Sequence, residues 1–385
     1  MTVHRLVTVA AAVLCVCALV VAGCGSSGVA ATTQSTAANG ASGLYPVSVG
    51  GKWGYIDKTG AIKIQPQFDG ARDFSDGLAM VSIAYKWGYI DTSGTMVIQP
   101  RFEPALAYPF SEGLAAVGKA SAEDARYGFM DKTGTVVIPM QYELAPSPTW
   151  EFSEGLCKVM VREAGEQRWG FVDKTGAMVI KVQFAGVSDF SEGLAAADYS
   201  NSDLHGFIDK TGKWVIQLPP NLQLYGGQGD NGFSEGLAIV QEVVPEDAEH
   251  PVHAGYINQT GKVVIEPQFA HVHSFSEGLA AAEVSQNGAL KWGYIDKTGA
   301  WVIQPQFDGA SFFSEGLAPV ATGSGDSTRW SFIDKTGKVA IALPQNQVPV
   351  GLFSGGVAGI RDSTANDTGP AEYIDTTGKV IWQEK

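Results

Sequence analysis

The residues of this chain with a capacity for chemistry return again and again at similar spacing. A carboxylate stands at Asp57, Asp91, Asp131, Asp173, Asp209, Asp296, Asp334 and Asp375, with Asn258 in the one remaining place. Each is followed three residues later by a glycine, as in Asp57/Gly60, Asp91/Gly94, Asp173/Gly176 and Asp296/Gly299. A second acid lies in Phe-Ser-Glu-Gly blocks that begin at Phe74, Phe110, Phe152, Phe190, Phe233, Phe275, Phe313 and Phe353, with Asp76 in the first and Gly355 in the last. General acid–base chemistry needs two carboxylates in one site with separated pKa values. An acid present in every copy of a unit is instead expected to serve folding. Aspartate at the first position of a tight turn caps backbone N–H groups, and glycine accepts the positive φ that closes it.

Asp-Lys-Thr-Gly resembles the Asp-Thr-Gly of aspartic proteases, but the inserted lysine breaks that motif. No glycine-rich phosphate loop, nucleophile elbow or Cys/His zinc spacing is present. Four histidines crowd one stretch: His250, His253, His271 and His273. On a strand, His271 and His273 would share one face, a workable pair of metal ligands, set against solvated polar residues in a divergent repeat. Trp53, Trp87, Trp169, Trp292 and Trp330 are expected to lie mostly in the core. Any that face solvent would make a ladder of rings able to stack on sugars or anchor a protein partner. No catalytic residues and no cofactor are expected.

The elements that position these side chains are strands. In Lys52-Trp53-Gly54-Tyr55-Ile56-Asp57, alternation places Trp53 and Tyr55 on one face and Gly54 and Ile56 on the other. Gly54 leaves room for a strand or ring to approach closely. Asp57-Lys58-Thr59-Gly60 predicts a type I turn closing on a left-handed glycine, a hairpin with a bulge. The return strand is a continuous apolar run, Val136-Val137-Ile138 or Val263-Val264-Ile265, which predicts burial on both faces. Pro66, Pro100, Pro139, Pro267 and Pro305 are expected to stop it, because proline cannot donate to the ladder. An aromatic follows (Phe68, Phe102, Tyr142, Phe184, Phe269, Phe307), then the Ser-Glu-Gly turn and a strand such as Leu114-Ala115-Ala116-Val117. Each unit offers three clear strands and a fourth near the phenylalanine before Ser-Glu-Gly.

The copies Trp53–Gly60, Trp87–Gly94, Tyr127–Gly134, Trp169–Gly176, His205–Gly212, Ala254–Gly261, Trp292–Gly299, Trp330–Gly337 and Ala371–Gly378, with Ile64-Gln65-Pro66-Gln67-Phe68 and its sisters, closely resemble the WG-repeat family of bacterial proteins. The resemblance covers about 340 residues. It implies a β-rich array, often on exported proteins, with no common catalytic activity. Four short antiparallel strands in about 40 residues is the size of a propeller blade. The expected fold is therefore all-β, about nine units of three to four antiparallel strands over residues 44–385 in a propeller-like ring, with an open β-solenoid as the alternative. The chain enters at Gly43-Leu44-Tyr45-Pro46-Val47, a worn copy of Gly-Leu-Ala-x-Val, and leaves at Trp382. That offset would let the two ends share a blade.

Ahead of the repeats, His4 and Arg5 precede an apolar run from Leu6 to Val21, the pattern of a secretory signal. Val21-Ala22-Gly23-Cys24 resembles the lipobox of bacterial lipoproteins, which implies cleavage after Gly23 and a lipid on Cys24. Residues 1–23 are then the signal and 24–43 a lipidated cysteine with a flexible Gly/Ser/Thr/Ala tether reaching on the order of 24 Å. The protein would be exported and held by its lipid to the outer face of the cell membrane, or to the periplasmic side where there are two membranes. Cys157 is then the only thiol of the repeat domain, expected as a small core residue where sister repeats carry alanine. Without Arg5, 25 basic residues face 40 acidic ones, a net charge of −15, which argues against nucleic acid as a partner.

Function is expected to be non-catalytic: a binding or protein-interaction scaffold at the envelope, or alternatively a module for envelope glycan or peptidoglycan. A hydrolase using inter-repeat loops is the reading from a different class. The irregular segments Leu218 to Gly232 and Glu242 to His253, where the period stretches to 49 residues, are where a specific site is expected.

Overall fold

The computed structural model describes residues 42–104, 106–119, 126–143, 150–163, 165–199, 204–225, 232–243, 252–364 and 370–384. The expected signal, Cys24 and nearly all of the tether lie outside the described residues. Within them the strands form nine antiparallel sheets in chain order, the blades of a β-propeller. A typical blade, the second, is Gly70–Ser75, Leu78–Ile83, Lys86–Asp91 and Met96–Phe102, each strand paired with the next. The first of these strands lies nearest the hub, where Gly70–Ser75 packs on Leu44–Val49 of the blade before and Ala107–Ser111 of the blade after. The only helical element among the described residues is the 3-10 turn Gly325–Ser327, and none is long and apolar enough to cross a membrane.

Alternation along the WG strand sorts side chains between two interfaces rather than between core and solvent. Tyr55 and Ile56 are both 0% exposed, yet Tyr55 packs with Phe74 and Val81 of the second blade while Ile56 packs with Val357 and Tyr373 of the ninth. A strand between two neighbouring sheets buries both faces.

The return strand is where the sequence misleads. It is the outermost strand of each blade and buries little besides its isoleucine and its closing aromatic: Ile138 and Tyr142 are 0% and 4% exposed, whereas Val136 and Val137 are 44% and 43% exposed. Its isoleucine faces the next blade and its other face looks out of the widening wedge between blades. The prolines do not stop the strand either. Ile62–Phe68 runs through Pro66, and the register shifts so that Trp53 pairs with Phe68 and Tyr55 with Ile64. The proline sits in this bulge, and a Cβ on Gly54 would lie 2.4 Å from the Ile64 oxygen and 2.7 Å from the Pro66 nitrogen. The close approach anticipated at Gly54 is thus to its own bulged partner strand.

The ring closes, which excludes the open solenoid, but it closes without a shared blade. Leu44–Val49, Lys52–Asp57 and Ile62–Phe68 make a three-stranded first blade, and the ninth takes all four strands from Gln347–Pro349 to Val380–Gln383. Side chains join them: the Tyr45 hydroxyl donates to the Ser354 carbonyl at 2.8 Å and the Tyr373 hydroxyl to the Pro46 carbonyl at 2.9 Å, with the two rings 5.7 Å apart.

Candidate functional site

The Asp-Lys-Thr-Gly turn forms because one aspartate satisfies several donors at once. Asp57 Oδ1 accepts the Thr59 N–H at 2.8 Å, the Thr59 hydroxyl at 2.6 Å and the Ala61 N–H at 3.2 Å, while the Gly60 N–H donates to the Asp57 carbonyl at 2.9 Å. Gly60 has φ +84. The Thr59 hydroxyl, its N–H and Lys63 hold the Asp57 carboxyl well below the usual range, and sister threonines or serines do the same at Asp91, Asp131, Asp173, Asp209, Asp296, Asp334 and Asp375. A carboxylate so saturated with donors stays ionised and is a poor general acid.

The Ser-Glu-Gly blocks join successive blades from the second to the ninth, a role the sequence reading missed. Ser111 of the third blade donates its hydroxyl to the Phe152 carbonyl of the fourth at 2.7 Å, and Ser153 repeats this to Phe190, Ser191 to Phe233, Ser234 to Phe275, Ser276 to Phe313 and Ser314 to Phe353. The neighbouring acid crosses the same junction. Glu112 accepts the Gly155 N–H at 3.0 Å and pairs with Lys174 at 2.9 Å, both from the fourth blade. Glu154 meets Gly193 and Lys210, Glu235 meets Gly278 and Lys297, and Glu277 meets Gly316 and Lys335 in the same way. Asp76 with Lys132 and Glu192 with Gln259 are conservative versions. The lysine of every Asp-Lys-Thr-Gly turn after the first therefore belongs to an acid of the preceding blade. The only trace in sequence was the presence of both residue types in most repeats; which repeat supplies which partner needs the ring.

These turns and clasps occupy one face of the ring, because the second strand of a blade starts beside the turn that closes the third, as Leu78 pairs with Asp91, Leu156 with Asp173 and Leu194 with Asp209. The hairpins at the other end of those strands and the crossings from one blade to the next lie on the opposite face. There Leu222 pairs with Glu242 on the sixth blade, which sets described residues of the two divergent segments side by side, while 226–231 and 244–251 lie outside the described residues. On the adjoining seventh blade His271 Nδ1 lies 2.7 Å from a Glu283 oxygen, Glu283 being 7% exposed, and His273 stacks on Trp292 at 5.0 Å and meets Phe312 at 4.9 Å. Among the described residues no group of three or more His, Cys, Asp or Glu is gathered as ligands of one metal.

The five tryptophans do not form an exposed ladder. Trp169 and Trp330 are 5% and 7% exposed, and the half-buried Trp53, Trp87 and Trp292 pack against blade cores, with Arg72 lying over Trp87 and His273 over Trp292. Cys157 is 0% exposed, and burial, with Asp189 adding to it, raises its thiol well above the usual range. Beside it Lys158, only 5% exposed, forms an ion pair with Asp189 of the next blade at 2.9 Å.

The model of the WG-containing repeat matches residues 53–87, 87–120, 127–163, 169–199, 206–218, 255–288 and 292–324. The chain belongs to the WG-repeat family. The WG dipeptide thus marks the strand next to the blade edge, its glycine facing the bulge. No curated protein matches the chain. Solved structures similar to this WG-repeat ring include the β-propeller domain of the Trilobed protease from Pyrococcus furiosus, described as having an open velcro topology, at 12% identity and TM-score 0.40 over 72% of this chain and 98% of that one. TolB from Acinetobacter baumannii is similar at 13% identity and TM-score 0.32 over 71% and 79%. A eukaryotic initiation factor is similar at 11% identity and TM-score 0.40 over 78% and 95%.

Proposed function

We propose that the protein is a non-catalytic binding scaffold, exported and held at the outer face of a cell membrane by a lipid on Cys24, and that it recognises a protein partner through the irregular face of the sixth and seventh blades. One observation carries this reading. The repeated carboxylates and hydroxyls, the residues most able to do chemistry, are consumed by turns and inter-blade clasps on one face, while Leu222 and Glu242, which belong to the segments that depart from the repeat, pair at the other. Identical units give a rigid ring and irregular segments give individuality, the usual division between scaffold and site.

The test is capture of partners from the organism's envelope extract on the immobilised chain, with excess free glycan as competitor. The reading expects a saturable protein partner that survives the sugar and is lost on His253→Ala, His271→Ala and Asn221→Ala together. Elution by sugar, or capture indifferent to these changes, overturns it. The anchor is tested separately: labelled fatty acid is expected on the wild-type chain and absent from Cys24→Ala.

A further inference from the structure

The repeated clasp defines what a carboxylate needs at a blade junction, and one junction has every requirement except the carboxylate. At each of the junctions described above, an acid from one blade lies between the glycine N–H of the next blade's Ser-Glu-Gly-Leu turn and the side chain following that blade's turn aspartate. At the junction of the ninth blade with the first, the acid's position is Gly355. The receiving groups remain. Gly43 precedes Leu44 as Gly155 precedes Leu156, and its φ of +62 is left-handed like the +87 of Gly155. Lys58 follows Asp57 as Lys174 follows Asp173, and it is exposed. Among the described residues no acid pairs with Lys58 and no acceptor meets the Gly43 N–H.

Among the described residues no acid supplies the missing group. Residues 25–43 contain no aspartate or glutamate. Glu315, the nearest clasp acid, is already engaged, accepting the Gly355 and Gly356 N–H groups at 2.7 Å each. The Gly355 carbonyl accepts from Tyr45 at 3.1 Å, which secures the seam without filling the acid's place. Leu44 pairs with Asp57 as Leu156 pairs with Asp173, which sets the Gly43 N–H and Lys58 at the register positions of Gly155 and Lys174, and a backbone N–H beside an ammonium is a pairing that favours carboxylate ligands.

We infer that Gly43 and Lys58 form a vacant clasp half that receives a carboxylate in trans, from an acidic turn of another polypeptide with the Ser-Glu-Gly geometry. The slot lies on the face opposite the pair Leu222–Glu242 and does not rest on the proposed binding role.

The experiment uses the full chain with its lysines isotopically dimethylated, following the Lys58 signal, assigned by its absence in Lys58→Gln, during titration with acetyl-Phe-Ser-Glu-Gly-Leu-amide. The expected result is a saturable shift of that signal, at least tenfold weaker with the Gln analogue of the peptide. Sodium acetate at matched concentration is the control for a simple carboxylate ion. Gly355→Glu is expected to move the Lys58 signal without peptide and to abolish the response, since Gly355 with φ +62 already has the left-handed backbone that sister Glu112 adopts at +51. No shift, an equal shift with the Gln peptide, or an acetate response matching the peptide overturns the inference. If Gly355→Glu does not fold, a peptide response that persists at other lysines in Lys58→Gln overturns it equally.

Discussion

Ser153 donates its hydroxyl to the Phe190 carbonyl at 2.7 Å across a blade junction, and Phe190 in turn packs at 4.8 Å on Phe171 of the blade that Ser153 came from. The polar clasp and the aromatic contact thus bind the same two blades, the hydroxyl fixing the backbone of the residue whose ring fills the junction. Removing the hydroxyl leaves the carbonyl without its donor. Ser153→Ala is expected to cost about 1 kcal/mol, read as a lowered urea midpoint that is insensitive to salt. Glu112→Gln, which keeps an acceptor for Gly155 but removes the charge facing Lys174, is expected to cost less than about 1 kcal/mol and to lose that effect at high salt. The reverse salt behaviour would contradict this division of roles.

Gly88→Ala and Gly77→Ala separate crowding from backbone conformation. A Cβ at Gly88 would lie 2.5 Å from the Ile98 oxygen, whereas Gly77, at φ +84, has open space around it. Gly77→Ala is expected to cost about 1–2 kcal/mol from its left-handed backbone alone. Gly88→Ala must push the bulged edge strand away and is expected to cost more, with faster amide exchange in Met96–Phe102. Equal costs would mean that the bulge yields freely.

Acid should loosen the ring. The turn aspartates are held below their ordinary range by the hydroxyl and N–H groups of the following threonine or serine. A carboxylate with a depressed folded pKa adds stability that is complete above its unfolded value, about 3.9, and is lost as pH falls through the folded one. Unfolding midpoints are expected to be flat through neutral pH and to fall below about pH 4. Asp173→Asn, which like Asn258 keeps an acceptor but does not titrate, should flatten that fall at its own hairpin.

The seam should be the weakest junction once its phenol is removed. Burial, then Glu315 and Asp73, push the Tyr45 hydroxyl up to about 12, so it remains a donor over the physiological range. Tyr45→Phe is expected to speed hydrogen exchange in Leu44–Val49 and Val357–Asp362 while leaving Leu194–Asp198 unchanged. Uniform acceleration around the ring would show that the seam opens only with the whole fold.

The Cys157 thiol should be inert in the native protein. It is fully buried and its pKa is raised, so both access and thiolate are lacking. Alkylation by a thiol reagent is expected only at the rate of unfolding, and a fast native reaction would contradict its burial.

Much of the blade was legible because local rules decide it. Asp57 and Gly60 announce their turn, and the alternation around Trp53 announces a strand. What escaped the sequence depends on neighbours. Val136-Val137-Ile138 looks buried on both faces because an edge strand wedged beside another blade can carry exposed valines without penalty to its ladder. Pro66 looks like a stop because its place in a bulge opposite Gly54 is a property of two strands. The partnership of Glu112 with Lys174 joins separate repeats, and reading within a unit cannot assign it. The candidate site was legible only as an irregularity of period; that Leu222 and Glu242 meet on one blade end required the pairing.

The clasp also has a bearing on descent. Its acid and its receiving groups are written in successive repeats, so a chain that gains or loses one whole repeat by recombination rejoins complementary halves and keeps every ordinary junction intact. Blade number can drift under that rule. The junction where Tyr45 meets Ser354 is exempt from the rule: it is held by a contact that no other junction repeats among the described residues, so both of its partners must survive any change of repeat number.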